Sequence, residues 1–358
     1  MCIKVVIIKP VDNGCNLNCK YCYVDGNINK ISFMDINIAK RIIDEMFLQK
    51  CKKITFLWHG GEPMLRGLDF YKEIVEYQKE KSLDCDKEYR NCIQTNLTLL
   101  DQNWAKFIRE NNIFISTSID GSKEMHDKNR VFFDGTGSYN ELIEKIKLAQ
   151  SYDININALC VVSKENKNKA KEICKNLNDL NIKHVGFLPC FKINNGIIEY
   201  PSLEPNDYGN FMVDMFELLL NGIAKFEIRE FEQILKACLG KKTNTCSFSG
   251  ECRKFICVNS KGMIYSCDTE IDNENNKIGC ILNESINSNI FIERHKKYLK
   301  NKKVLSTLCE KCEYVKYCNN GCPNKMLNSK YYFCNDRKIM FKYVENILHD
   351  IIYNNIER

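Results

Sequence analysis

An α/β fold built on a parallel sheet, followed by a cysteine-rich C-terminal part, is what this 358-residue sequence predicts. Three observations carry the expectation. Apolar strand-like runs alternate with segments of helical period about six times, the pattern of strands joined by helical crossovers. Polar and cysteine motifs follow the C-terminal ends of the strands, where such folds carry their chemistry. Near residue 235 the alternation gives way to short segments packed with cysteine, and a domain boundary is expected there.

Taken in order, IKVVIIKP reads as a buried strand, and a cysteine triplet follows on the loop leaving it. IAKRIIDEMFLQ has helical spacing, KKITFLWHGGEP is a strand and turn, and LDFYKEIVEYQKEK is again a helix. YRNCIQTN, WAKFIREN, IFISTSIDG, YNELIEKIKLAQSY, ININALCVVS, KNKAKEICKNLNDL and HVGFLPC continue the alternation. Periodicity does not distinguish an open sheet from a barrel. The last segment, MFKYVENILHDIIYNNIE, reads as an amphipathic helix with Phe341, Val344, Leu348 and Ile351 on one face.

Composition narrows the class. Twenty-one cysteines suit a secreted disulfide scaffold or an anaerobic metalloprotein. The apolar run before Lys9 and Pro10 is too short for a signal-peptide core or a membrane span, so the expectation is a cytoplasmic protein with reduced thiols and no membrane partner. The net charge of +6 is spread without a sustained basic block and gives no ground for a nucleic-acid partner.

Cys15, Cys19 and Cys22 form a C-x3-C-x2-C triplet in GCNLNCKYCY. Three thiolates can hold a cubane iron–sulfur cluster with one iron left open for a small molecule, whereas electron-transfer clusters and structural zinc are closed by four ligands. A zinc knuckle, or three buried thiols, is the plainer alternative. Gly60, Gly61, Glu62 and Pro63 follow the second strand, where glycines permit close approach to a ligand and Glu62 can accept from an ammonium group. Gln94, Thr95 and Asn96 end the next strand, Ser118 and Asp120 the fourth, and His126 and Arg130 follow. Downstream, Cys252, Gly262 and Cys267 stand as C-x9-G-x4-C, and Cys309, Cys312, Cys318 and Cys322 as C-x2-C-x5-C-x3-C, with Cys334 beyond and Cys246 before. These eight thiolates could close two clusters or two zinc sites.

The triplet with Tyr21 beside its last cysteine resembles the signature of the radical S-adenosylmethionine (SAM) superfamily, and the second array resembles its SPASM appendix. The resemblance implies a partial (β/α)6 TIM-like barrel over 1–235, a SPASM domain over 236–340 and a terminal helix over 341–358. It implies SAM and three [4Fe–4S] clusters. Cys15, Cys19 and Cys22 hold the SAM-binding cluster; Cys246, Cys252, Cys267 and Cys322 hold one auxiliary cluster; Cys309, Cys312, Cys318 and Cys334 hold the other. Tyr21, Gly60, Gly61, Glu62, Gln94, Asn96, Ser118, Arg130 and Phe191 are the implied SAM-side residues, with Glu62 at the amino group, Ser118 near the ribose and Arg130 at the carboxylate.

The segments IKPVDNGCNLNCKYCY, HGGEPMLRGLDFY, QTNLTLLDQNWAKFI and SIDGSKEMHDKNR narrow the resemblance to the anaerobic sulfatase-maturating enzymes. That family oxidises a Cys or Ser Cβ to formylglycine, and Asp268, directly after Cys267, matches its proton-accepting aspartate. The implied partners are a sulfatase and an electron donor such as flavodoxin or ferredoxin. Related SPASM enzymes crosslink ribosomal precursor peptides, often through an added N-terminal domain for which the early first strand leaves no room. A non-enzymatic iron–sulfur carrier would have no use for the GGEP turn. Leu97, Thr269, Glu270, and Pro323 to Lys325 depart from the family pattern, and a substrate contact is the expectation at each.

Overall fold

The structure is a computed structural model and describes residues 2–23, 31–83, 85–271, 273–302 and 306–356. The alternation runs β1 (Val5–Ile8), α1 (Ile36–Phe47), β2 (Lys53–Trp58), α2 (Leu68–Leu83), β3 (Glu88–Thr95), α3 (Gln102–Glu110), β4 (Phe114–Ser118), α4 (Lys123–Asn129), α5 (Tyr139–Ser151), β5 (Ile156–Val162), α6 (Ala170–Asp179) and β6 (His184–Pro189). Then come the pair β7 (Ile193–Asn194) and β8 (Ile197–Ile198), α7 (Asp207–Leu220), β9 (Glu227–Ile228), α8 (Arg229–Cys238) and α9 (Cys246–Ser249). The cysteine-rich stretch holds β10 (Phe255–Val258), β11 (Met263–Tyr265), β12 (Gly279–Cys280), α10 (Asn289–Lys302), α11 (Thr307–Glu310), α12 (Val315–Cys318), β13 (Met326–Leu327), β14 (Lys330–Tyr331) and α13 (Cys334–Ile356).

Two compact units interleave along the chain: Met1–Ser118, His126–Asn157 and Cys252–Lys302 form one, and Ile119–Met125, Ala158–Glu251 and Lys303–Arg358 the other. In the first, the strand order is β12-β11-β10-β1-β2-β3-β4. Strands β10, β1, β2, β3 and β4 run parallel, and β11 and β12 add antiparallel to β10. Val5 of β1 stands opposite Phe255 on one side and Thr55 on the other. This pairing adds β10, β11 and β12 to the N-terminal sheet, makes Cys252–Lys302 part of the first unit and brings Asp268 to the loop after β1. Helices α1 and α3 start where Asp35 and Asp101 accept from backbone N–H groups of Asn37 and Trp104, satisfying donors a helix start leaves open. Trp58 from β2 stacks edge-on to Tyr71 of α2, which meets Trp104 of α3. Burying each such ring stabilises by roughly 1.5–3 kcal/mol and fixes these helices against the sheet.

In the second unit β5, β6 and β9 are parallel, and α13 packs on α7 and α8. The terminal helix starts at Cys334, earlier than its apolar stripe suggests. Phe341 and Val344 are buried, while Ile351 is 52% exposed, so the stripe leaves the core before the helix ends.

Cys2 and Cys51 form a disulfide, against the expectation of reduced thiols. They precede β1 and β2, whose register sets their Cα atoms 6.1 Å apart. Of the other cysteines outside the motifs, Cys160, Cys174, Cys190 and Cys257 are buried, whereas Cys85, Cys92, Cys238 and Cys280 are only partly so. No helix among the described residues is long and apolar enough to cross a membrane.

Candidate active site

The loop after β1 carries the cysteine triplet, and the turn after β2 is built to receive it. The Gly61 N–H donates to the Asp12 carbonyl and the Glu62 N–H to the Gly14 carbonyl, both at 2.8 Å. Gly60 has φ +128°, and a Cβ at Gly61 would stand 1.9 Å from the Gly14 oxygen. The glycine pair therefore lets the turn after β2 approach the chain's own cysteine loop this closely.

Glu62 is fully buried and collects three donors. Its Oε1 accepts from the Met64 N–H at 2.9 Å and the Thr95 hydroxyl at 2.7 Å, and its Oε2 from the Asn96 N–H at 2.7 Å. Burial pushes its carboxyl up to about 7, although these hydrogen bonds and Arg130 oppose the rise. Two carboxylate oxygens offer about four acceptor positions, so one remains for an added donor. A cationic or metal-bound amino group there would relieve the buried charge.

Cys15 lies beside this carboxylate. Burial first, then Glu62, pushes its thiol up to about 12, and Cys19 and Cys22 add to the effect as neighbouring thiolates. The Leu17 N–H donates to the Cys15 sulfur at 3.4 Å and the Asn96 amide approaches it at 3.8 Å. Such donors suit a metal-bound thiolate, and ligation to iron would favour the deprotonated form that burial opposes. Asn96 also donates to Asn16, while its own oxygen accepts from Thr98. Arg130 donates to the Tyr21 hydroxyl at 3.0 Å, and Gln94 to Ser118 at 3.4 Å. His126 is buried on α4, where it pairs with Ser138 at 3.1 Å and lies edge-on to Tyr139. It braces the segment carrying Arg130, whose N–H bonds the His126 carbonyl. Asp120, in the second unit, is buried and accepts from the Val161 N–H.

Asp268 follows Cys267 after β11. Its Oδ2 accepts from the Tyr23 hydroxyl at 2.7 Å, and the same hydroxyl lies 3.2 Å from His59 Nε2. The buried Lys9 ammonium donates to the Asp268 backbone carbonyl at 3.0 Å. Burial alone would raise the Asp268 carboxyl, but His59, Lys9, Tyr23 and the Cys267 thiol together hold it below its ordinary value. Burial pushes His59 down to about 4. The imidazole is therefore neutral near pH 7, its 3.8 Å approach to Asp268 is no ion pair there, and Lys9, Tyr23 and the Cys267 thiol remain to hold the carboxylate. Among the described residues His59 Nδ1 is buried without a hydrogen-bond partner. The motif reading missed Lys9, Tyr23 and His59, although Tyr23 beside Cys22 and His59 beside Gly60 stood next to motifs.

Two of the departures from the family pattern are interior. Leu97 is fully buried at φ +68°, and Glu270 is buried between Ser266, Tyr298 and Lys302. Neither is placed to touch a substrate, a correction to the expectation for both. Lys325 donates to the Pro189 carbonyl within the second unit, where the Phe191 ring packs on Tyr332 and Phe333.

The auxiliary ligands divide: Cys252 and Cys267 belong to the first unit, and Cys246 and Cys322 to the second. Cys309, Cys312, Cys318 and Cys334 all line one cavity of about 170 Å³ in the second unit. The cavity offers room for a group of several atoms, and four thiolate donors fit an iron–sulfur cluster. Among the described residues no three or more such side chains already close on a single ion.

The radical SAM superfamily model matches residues 10–191. A Cys-type anaerobic sulfatase-maturating enzyme of Clostridium novyi is 32% identical over 88% of this chain and 87% of its own length. A Ser-type enzyme of Bacteroides thetaiotaomicron is 30% identical over 89% and 82%. The solved structure described as native anSMEcpe with bound AdoMet and Cp18Cys peptide superposes with TM-score 0.85 at 27% identity, covering 98% of this chain and 99% of that one. Motif, fold and overall likeness converge: this chain belongs to the radical SAM superfamily and, within it, to the family of the anaerobic sulfatase-maturating enzymes.

Proposed function

We propose that this enzyme oxidises the Cβ of a Cys or Ser residue in a sulfatase substrate to formylglycine, with Asp268 taking the thiol or hydroxyl proton. The single observation that supports it best is the set of Lys9, Tyr23 and His59 gathered around Asp268, directly after Cys267. SAM and its cluster, when bound, supply the one-electron chemistry that removes a Cβ hydrogen atom.

The chain's own residues do the rest. Cys15, Cys19 and Cys22 hold the first cluster, Glu62 accepts from the SAM amino group, and Arg130, set by Tyr21, pairs with its carboxylate. Gln94, Asn96 and Ser118 line the same strand ends, and Phe191 belongs to the proposed SAM side by family likeness. Asp268 is held ionised and so can accept a proton. Its Oδ1 now accepts from the Cys267 thiol at 3.3 Å. Once that thiol gives up its proton on ligation, Oδ1 is freed for the substrate. Tyr23 keeps the carboxylate oriented, and neutral His59 lies beside the same hydroxyl.

Cys246, Cys252, Cys267 and Cys322 would hold one auxiliary cluster and Cys309, Cys312, Cys318 and Cys334 another, either of which would supply an acceptor for the second electron, with a flavodoxin or ferredoxin as external donor. Asp268→Asn tests the reading. It should keep all iron and cleave SAM, yet form product ~10²–10⁴-fold more slowly from a sulfatase peptide bearing C/S-x-P-x-R. Full turnover in that variant would make Asp268 a loop cap.

A further inference from the structure

The cavity lined by Cys309, Cys312, Cys318 and Cys334 has a cationic wall. Lys330, Arg337 and Lys338 line it too. Lys330 acts electrostatically on Cys334, and Lys338 on both Cys309 and Cys334. Arg337, in the first turn of α13, is 4% exposed. Its Nη2 donates to the Ser247 carbonyl at 2.9 Å, and its guanidinium lies 3.7 Å from the centre of the Phe248 ring and 5.4 Å from that of Tyr331. Its Nη1 is buried and, among the described residues, makes no hydrogen bond of good geometry, the Tyr331 phenol offering the guanidinium only a poorly aligned one. A buried cationic N–H left without a well-aligned acceptor is costly. Cys318 is among the groups that act on this guanidinium.

We propose that Arg337 is the resident hydrogen-bond donor and counter-charge to the cluster held at this cavity, and that it raises the reduction potential of that cluster. This rests on the reading of the four cysteines as cluster ligands. Four thiolates around a [4Fe–4S] core leave a net negative charge that grows on reduction, so a buried cation and an N–H donor stabilise the reduced form more than the oxidised one. The two aromatic rings fix the guanidinium plane, which leaves Nη1 little freedom to turn elsewhere. Lys330 and Lys338 act in the same sense from the cavity rim. The arrangement suits a centre that accepts an electron.

The test uses the full chain in a Cys15, Cys19, Cys22→Ala background, so that only auxiliary clusters remain, with iron analysis and EPR-monitored redox titration of Arg337→Gln and Arg337→Lys. The Gln variant should keep its iron while one cluster's reduction constant falls about tenfold, equivalent to 59 mV for a one-electron couple. The Lys variant should lie between it and the parent. Parental potentials in an iron-replete Gln variant would overturn the proposal, as would loss of iron from both variants, which would make Arg337 a packing residue. If only the Gln variant loses iron, the Lys variant decides: a lowered potential supports the proposal and a parental one overturns it. A parent holding zinc, or only about four irons, would overturn the cluster reading itself before any Arg337 variant is made.

Discussion

Replacing Glu62 by Gln changes one charge and almost no volume, and its consequences can be worked out from three hydrogen bonds. In the wild type, burial raises the carboxyl from 4.5 to about 7. The folded protein therefore holds this proton more tightly than the unfolded chain does. The carboxyl's contribution is fully present below pH 4.5 and is lost as pH rises through 7, by about 3 kcal/mol for a shift of this size. The Gln side chain does not titrate, but its NH₂ must face one of the donors from Met64, Thr95 or Asn96, leaving a buried donor unpaired at about 1–3 kcal/mol. The variant should thus be less stable than wild type at pH 5 and about equal to it at pH 8, measured by urea unfolding. For SAM the order reverses, because only the ionised carboxylate makes a charge-assisted hydrogen bond to the amino group. Loss of that bond weakens binding by roughly 10- to 100-fold at pH 8 and by less at pH 6, read by equilibrium dialysis. A ratio of affinities that stays constant between pH 6 and 8, or equal affinities, would refute the reasoning.

The remaining predictions concern the cysteine loop and Asp268. Replacing Cys15, Cys19 and Cys22 together by Ala should lower iron from about twelve to about eight per chain and abolish deoxyadenosine formation. Gly61→Ala drives a Cβ to 1.9 Å from the Gly14 carbonyl, so it should destabilise the fold by more than ~3 kcal/mol or expel the first cluster, seen in thermal melts and iron content. Tyr23→Phe removes a hydrogen bond that lowers the Asp268 carboxyl, so the acid limb of product formation should move to higher pH while SAM cleavage persists. An unmoved limb would detach Tyr23 from the proton transfer.

The alternation of apolar runs was enough to read six strands and their crossovers, because runs such as VVII and ITFLW stand between segments of helical period. It could not reveal β10, since FICV is short and its partner β1 lies some 250 residues away in sequence. That one long-range pairing decides where Asp268 sits. Cysteine spacing brought Cys309, Cys312, Cys318 and Cys334 into view as a set, and the structure places all four around one cavity. Spacing says nothing of Lys9, Tyr23 or His59, whose role depends on three separate loops meeting. Leu97 shows the opposite failure. A departure from the family pattern suggested a contact with substrate, but a buried side chain on a left-handed turn explains it by packing.

The most direct test of the central claim is anaerobic incubation of the reconstituted enzyme with SAM, a reductant and sulfatase-derived peptides bearing Cys or Ser at the C/S-x-P-x-R position. Mass spectrometry follows each peptide, and a hydrazide probe captures aldehyde. The account predicts an aldehyde at the Cys or Ser of at least one peptide, formed in step with deoxyadenosine and lost in Asp268→Asn. Deoxyadenosine released while both peptides remain unmodified, or a thioether crosslink formed in a Cys-rich precursor peptide instead, would contradict it.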